Sequence, residues 1–292
     1  MKSRFNNYVV ATKEALHSWW QKDPFKESAV IAYYSIFSLP GLLSVIVFLS
    51  GYFFDKEVVN TEITNEISSV MGTETAQQVQ SIILKAMQSK KTLWENLIGI
   101  AIILFGATGV FIQFQKALNK IWKVKEEESK SGIIGLFRSR LLSFGLIIAI
   151  AFILITSLLI STLLAALGKW LTLYFPDSFF ILLLCLNFLI SLGVFTLVFG
   201  FMFKYFPDTD IRWSDVWLGS FITAVLFEIG KSLLGFYFGT FKPDSGYGSG
   251  GSVVLIMLWV SYSSMLVLLG AEFTYSYTQL KRNRVKHIET KK

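Results

Sequence analysis

The sequence predicts an all-α, polytopic membrane protein: six transmembrane helices, with a short helical exterior segment between helices 1 and 2. Three observations lead there. Of 292 residues, 53% are hydrophobic and only 16% are charged, where a soluble domain carries about 25% charged residues; mean hydropathy is +0.55. The apolar residues collect in runs long enough to cross a hydrocarbon core, which takes roughly 20 residues of helix. Lys and Arg are distributed unevenly over the connections, the pattern that orients membrane helices.

The runs fall at about 29–54, 97–122, 141–167, 179–203, 216–241 and 253–277. Residues 1–28 are polar with mixed charge and form an N-terminal segment. No small-residue cleavage site follows a short apolar region, so the first run reads as a retained span and not a secretory signal. Residues 278–292 form a basic tail. Alternate connections hold eighteen Lys and Arg on one side and six on the other, which puts both termini in the cytoplasm. The expected location is the bacterial cytoplasmic (inner) membrane. Across 55–96, the one sizeable exterior connection, Val59, Ile63, Ile67 and Val70 repeat at helical spacing until Gly72 breaks the run. Val79, Ile83 and Met87 repeat again after a Thr75–Gln78 capping pattern. Two short amphipathic helices over the outer mouth of the bundle are expected, either as a gate or as a cover for apolar surface.

Near the centre of the fifth run stand Glu228 and Lys231. An ionised group at that depth costs roughly 2.5–3.5 kcal/mol on insertion scales, so it is kept where it has a partner, a wet cavity or a task. A spacing of three places both on one helical face, within pairing range. Further polar groups fall in the cytoplasmic half: Tyr33 and Ser35 in span one, Gln113 and Gln115 in span two, Glu272 in span six. Depth alone suggests one polar cavity open to the cytoplasm, with the Glu228–Lys231 pair near its floor. Pro40 removes a backbone hydrogen bond from span one and predicts a kink. Lys116 and Lys120 can snorkel to the interface. Asn187, Ser191 and the small-residue pair Gly235 and Gly239 read as helix packing. The glycine-rich turn 242–252, with Tyr247 and Gly248, is either a flexible loop or an anion-binding nest; it lacks the order of a P-loop.

Several classes are disfavoured on the same residues. One cysteine, Cys185, cannot form an intramolecular disulfide. Two histidines at opposite polar ends, His17 and His287, do not make a metal site, so no metal and no cofactor is expected. The net charge of +7 reflects cytoplasmic loops and does not call for nucleic acid.

An ordered set of short motifs resembles a known family. Ala32-Tyr33-Tyr34-Ser35 leads to Ser38-Leu39-Pro40; Phe227-Glu228 precedes Lys231; Tyr247-Gly248 is followed by Trp259-Val260-Ser261-Tyr262 and Leu269-Gly270-Ala271-Glu272. Together, over about residues 25–280, they look like the YihY/BrkB family of bacterial inner-membrane proteins, once labelled ribonuclease BN. The resemblance implies six helices with both ends cytoplasmic. Members of that family have been linked to serum resistance and envelope lipid traffic, and the resemblance implies no settled activity. The old nuclease label fits poorly, because no cytoplasmic cluster of carboxylates or histidines is present to hold divalent ions. The turn at Tyr247-Gly248-Ser249-Gly250-Gly251 is richer in glycine than the resemblance leads one to expect.

Three readings follow. In a transporter or flippase-like protein for an anionic lipid or small anion, Lys231 supplies positive charge, Glu228 sets its state, and Glu272 and the glutamines line the path. No ATP-binding motif is present, so a gradient or partner would drive it. In a structural or envelope-assembly protein, the same pair fixes helix packing. An enzyme is not expected: no nucleophile–base constellation accompanies Glu228. Membrane lipids are the expected partners, and the oligomeric state is not encoded in any motif.

Overall fold

The structure is a computed structural model, and it describes residues 2–50, 60–61, 64–65, 67–68, 73–88, 109–124, 178–243, 246–247 and 250–289. These residues are helical wherever they are regular, with no strand among them. The elements are α1 (Lys2–Gln21), α2 (Pro24–Ser50), α3 (Thr73–Gln88), a helical stretch α4 over 109–122, α5 (Ser178–Tyr205), α6 (Trp213–Phe241) and α7 (Gly251–Glu289). Three stretches are long and apolar enough to cross a membrane: Phe188–Tyr205, Trp213–Phe241 and Gly251–Arg282. The backbone of α2 is helical over most of the first expected span and continues through Pro40, whose side chain lies outside the described residues. Expected span 141–167, the start of span two, the Asn187 side chain and Gly248 also lie outside them.

The 39 residues of α7 make it the axis of the described bundle. At 1.5 Å per residue it is about 58 Å long, well beyond a hydrocarbon core of about 30 Å, so its C-terminal turns project from the membrane. α1 and α2 run antiparallel to it, end to end. The Tyr8 ring stacks on Tyr277 at 5.6 Å, Ala11 and Ala15 pack on Phe273, and Ser28 Oγ lies 3.0 Å from Ser261 Oγ. Between the two helices the chain turns through Asp23, in the left-handed region at φ 53°, which Asp tolerates better than most residues. Pro24 then opens α2, where its missing N–H costs nothing. The N-terminal segment is thus a docked helix, where the sequence showed only a polar segment of mixed charge before the first span.

α6 lies between α5 and α7. Its contact with α7 is made by two Gly-x-x-x-Thr pairs packed reciprocally. A Cβ added at Gly270 would meet Thr223 Oγ1 at 1.8 Å, and one at Gly219 would meet Thr274 Oγ1 at 1.8 Å. Each threonine hydroxyl donates to the carbonyl one turn back, Thr223 to Gly219 and Thr274 to Gly270, both at 2.7 Å. Small residues that let backbones approach are the usual means of helix association where lipid removes the hydrophobic drive. The expected small-residue contact at Gly239 is not there, since nothing lies within 4 Å of its Cβ position. That side of α6 is exposed, and Phe236, one turn back from Gly239, points outward.

α3 buries Ala76 and Val79, and Gln78 accepts a hydrogen bond from Ser252 at the start of α7. Ile67 joins Phe238 and Leu255 in an apolar cluster, so the segment between the first two expected spans packs on the end of the α6–α7 pair. The capping pattern is corrected: α3 starts at Thr73, two residues before Thr75, whose hydroxyl is buried inside the helix and not at its cap.

Candidate functional site

Glu228 and Lys231 form an ion pair, Lys231 Nζ to Glu228 Oε2 at 3.0 Å. They occupy the middle of α6, half-way along a 29-residue helix. The second carboxylate oxygen accepts a hydrogen bond from Ser191 Oγ of α5 at 2.6 Å. Lys231 Nζ also lies 5.9 Å from the centroid of the Phe195 ring, one turn further along α5, a range in which an aromatic face attracts a cation. The two ends of the pair differ in exposure. The Glu228 side chain is 8% exposed and that of Lys231 is 26% exposed. The carboxylate is closed in and satisfied on both oxygens; the ammonium keeps a free side. Ser191, read from sequence as packing, therefore belongs to this site, and only the pairing of α5 with α6 reveals it.

Glu272 is 1% exposed and sits elsewhere. Its Oε1 accepts from Lys22 Nζ at 2.5 Å, while Oε2 is buried and has no hydrogen-bond partner. Beside it Lys120 pairs with Glu27 at 2.9 Å. These four charged groups, with Trp19, Pro24 and Leu268 among the remaining walls, line a narrow cleft of about 20 Å³ where α1, α2, α4 and α7 meet, room for about one water molecule. Trp19 Nε1 donates to the Met265 carbonyl at 3.2 Å and fixes the end of α1 there. Lys22 stands 250 positions from its partner, so no periodicity could have shown it.

The two carboxylates do not share a cavity, and the helix faces explain why. On α6, Gly219, Thr223 and Gly230 face α7; at 100° per residue Glu228 lies about opposite them, toward α5. On α7, Gly270 and Thr274 face α6, and Glu272 lies about opposite them, toward α1. The helix–helix contact therefore stands between the two sites. They also differ in depth. Because Thr223 meets Gly270 while Gly230 meets Leu266 and Tyr262, Glu228 stands about 10 Å further along the axis than Glu272.

The other sequence candidates separate as well. Tyr33 is 55% exposed and packs edge-on against Tyr34 and Phe37 on the outer face of α2, away from the cleft. Ser35 donates back to the Ile31 carbonyl at 2.9 Å. Gln115 Nε2 reaches Asp208 at 3.1 Å in the loop after α5, where Asn119 also donates to that carboxylate at 2.8 Å and accepts from the Asp208 backbone N–H at 2.8 Å. Gln115 thus ties α4 to the loop after α5. Gln113 is half-buried on the same helix. Tyr247 is exposed in the turn between α6 and α7, where Gly250 N–H closes on its carbonyl at 3.0 Å.

Long apolar helices, an ion pair at mid-depth and small-residue helix contacts define the class: a multi-span integral membrane protein. Residues 15–292 match the family described as Virulence factor BrkB, and the chain belongs to that family. Curated relatives carry the name UPF0761 membrane protein. That of Acinetobacter baylyi is 29% identical over 75% of this chain and 54% of its own length. That of Azotobacter vinelandii is 25% identical over 89% of this chain and 61% of its own, and that of Tolumonas auensis is 39% identical over 35% and 33%. The chain spans less than two thirds of the length of these relatives. No solved structure matches it.

Proposed function

We propose that the protein moves an anionic lipid, or a small anion of like charge, through the membrane, with Lys231 as the group that receives it. The observation that supports this reading is the asymmetry of the α6 pair. A closed Glu228 holds a half-open Lys231 at the depth where a bare cation is most costly. An anionic headgroup arriving there can take the ammonium from Glu228, while Ser191 keeps the released carboxylate hydrogen-bonded. The exchange keeps the ammonium paired throughout, while the carboxylate left behind is held by Ser191 alone, a cost that draws Lys231 back once the headgroup leaves. In place of a single cytoplasmic cavity, this assigns substrate to the α5–α6 side of the hairpin.

A structural role for the pair is the second reading, favoured by the same saturation of Glu228. Breaking a buried pair by removing one partner costs about 3–5 kcal/mol, whereas replacing both by apolar residues is often neutral. Native mass spectrometry of protein released from nanodiscs of mixed anionic and zwitterionic lipid separates the two. The transport reading expects anionic lipid enriched on the wild type and lost from a stable Glu228→Leu/Lys231→Leu variant. Equal enrichment on both would reject it in favour of packing.

A further inference from the structure

The cleft at the α1–α2 elbow holds a charge arrangement that the α6 pair does not use. Glu272 and Glu27 face Lys22 and Lys120, so two carboxylates and two ammoniums balance when all are ionised. They come from α7, α2, the turn after α1, and α4; neither α5 nor α6 contributes a wall. Only one of the four groups is fully buried. Glu272 is 1% exposed, and its Oε2 faces protein with no donor in reach. A buried carboxylate oxygen without a partner is costly, more so than a neutral acceptor. A proton placed on it removes the charge, and a neutral hydroxyl without a partner costs less than a bare carboxylate oxygen.

We propose that Glu272 is a proton-binding site reached from the cytoplasmic side, and that its protonation releases α1. The proton adds to Oε2, the carboxyl becomes neutral, and the Lys22 ammonium loses its counter-charge. Lys22 is already 21% exposed and stands one residue from the Asp23 turn, so it can swing to water. The Tyr8–Tyr277 stack and the Ala11–Ala15–Phe273 cluster, with Leu218, Ile222 and Leu280 against it, keep the N-terminal part of α1 docked, so the part released is its C-terminal end, held then by the Trp19 hydrogen bond to Met265. A second cation fits the cleft less well than a proton, because two ammoniums already line it and the free space is about 20 Å³. The inference deepens the transport reading by naming protons as its driving ion, and rests on that reading only for its purpose.

The test uses the full chain in nanodiscs and needs no lipid substrate. Infrared difference spectra between mildly alkaline and mildly acidic buffer report a buried protonated carboxyl. Spin labels at His17 on α1 and Trp217 on α6 report the position of α1. The wild type is expected to gain a carboxyl band in acid that Glu272→Gln lacks, and its label distance should lengthen or broaden in acid. Glu272→Gln should show the acid distance in both buffers. Lys22→Met, which keeps the carboxyl and removes its partner, should show the acid distance in both buffers and covers the case of a Glu272 variant that does not fold. A band that persists in Glu272→Gln, a Lys22→Met label distance that keeps the wild-type alkaline value, or a wild-type distance indifferent to pH overturns the proposal. Lipid movement does not enter these readouts, so a failed transport assay leaves them unaffected.

Discussion

Substituting Gly270 by Ala should separate two kinds of glycine on these helices. The added Cβ would stand 1.8 Å from Thr223 Oγ1, and 2.8 and 2.9 Å from its Cβ and Cγ2. All three distances fall below the 3.0 Å that real Cβ contacts essentially never cross. Rotating Thr223 does not clear the clash, because its Cβ is also too near, and rotation breaks the hydroxyl bond to Gly219 at 2.7 Å. The helices must therefore part by about 1 Å, which loosens the reciprocal Thr274–Gly219 contact as well. Overpacking of this kind costs about 1–3 kcal/mol. Gly239→Ala is the internal control, since nothing lies within 4 Å of its Cβ position; Ala there should be neutral or stabilising by up to about 1 kcal/mol on helix propensity. Reversible unfolding in mixed micelles with increasing denaturing detergent measures both. Equal midpoints for Gly270→Ala and Gly239→Ala would refute the lock between α6 and α7.

Three further outcomes follow from the contacts around the α5–α6 loop. Asn119→Ala removes two hydrogen bonds to Asp208 and should lower unfolding stability by about 1–3 kcal/mol at about 1 kcal/mol per bond; an unchanged midpoint would exclude this tie as a support of α4. Asp215, almost buried in the first turn of α6, pairs with Lys281 at 2.9 Å and lies 3.9 Å from Arg282. A double-mutant cycle of Asp215→Asn with Lys281→Gln should give a coupling of about 1 kcal/mol or less, since the lysine is half in water; zero coupling would remove the clasp. Asp210 is held below the ordinary carboxylate range by the hydrogen bond from Lys204, then by the charges of Lys204 and Arg212. A depressed carboxylate stabilises the fold at pH above its ordinary value, and that contribution is lost as pH falls through the folded value. Carboxyl NMR of Asp210 should show the low titration, and Lys204→Met should restore the ordinary range.

Much of the fold was legible because membrane helices announce themselves by length and composition. The runs at 179–203, 216–241 and 253–277 each lie within one helix of the structure, and the Glu228–Lys231 pairing followed from a spacing of three. What the sequence could not carry was the direction each face takes. Depth grouped Tyr33, Glu272 and Glu228 into one cavity; packing distributes them over an outer face, an elbow cleft and the α5–α6 seam. The partners Lys22 for Glu272 and Ser191 for Glu228 come from distant chain segments, and the contacts that set them are long-range. Gly219 and Gly270 looked no different from Gly235 and Gly239, because a small residue is informative only once a neighbour is known to lie over it.

The central claim is that Lys231 serves an anionic substrate and not helix packing alone. Its most direct test is the movement of headgroup-labelled anionic lipid between leaflets of proteoliposomes, with wild type, Lys231→Met, Glu228→Gln and the double apolar variant compared at matched insertion. Protein-dependent movement in the wild type, lost in all three variants while they remain folded, is the predicted result. Movement retained at the wild-type rate by the folded double variant would contradict it and leave the pair a packing device.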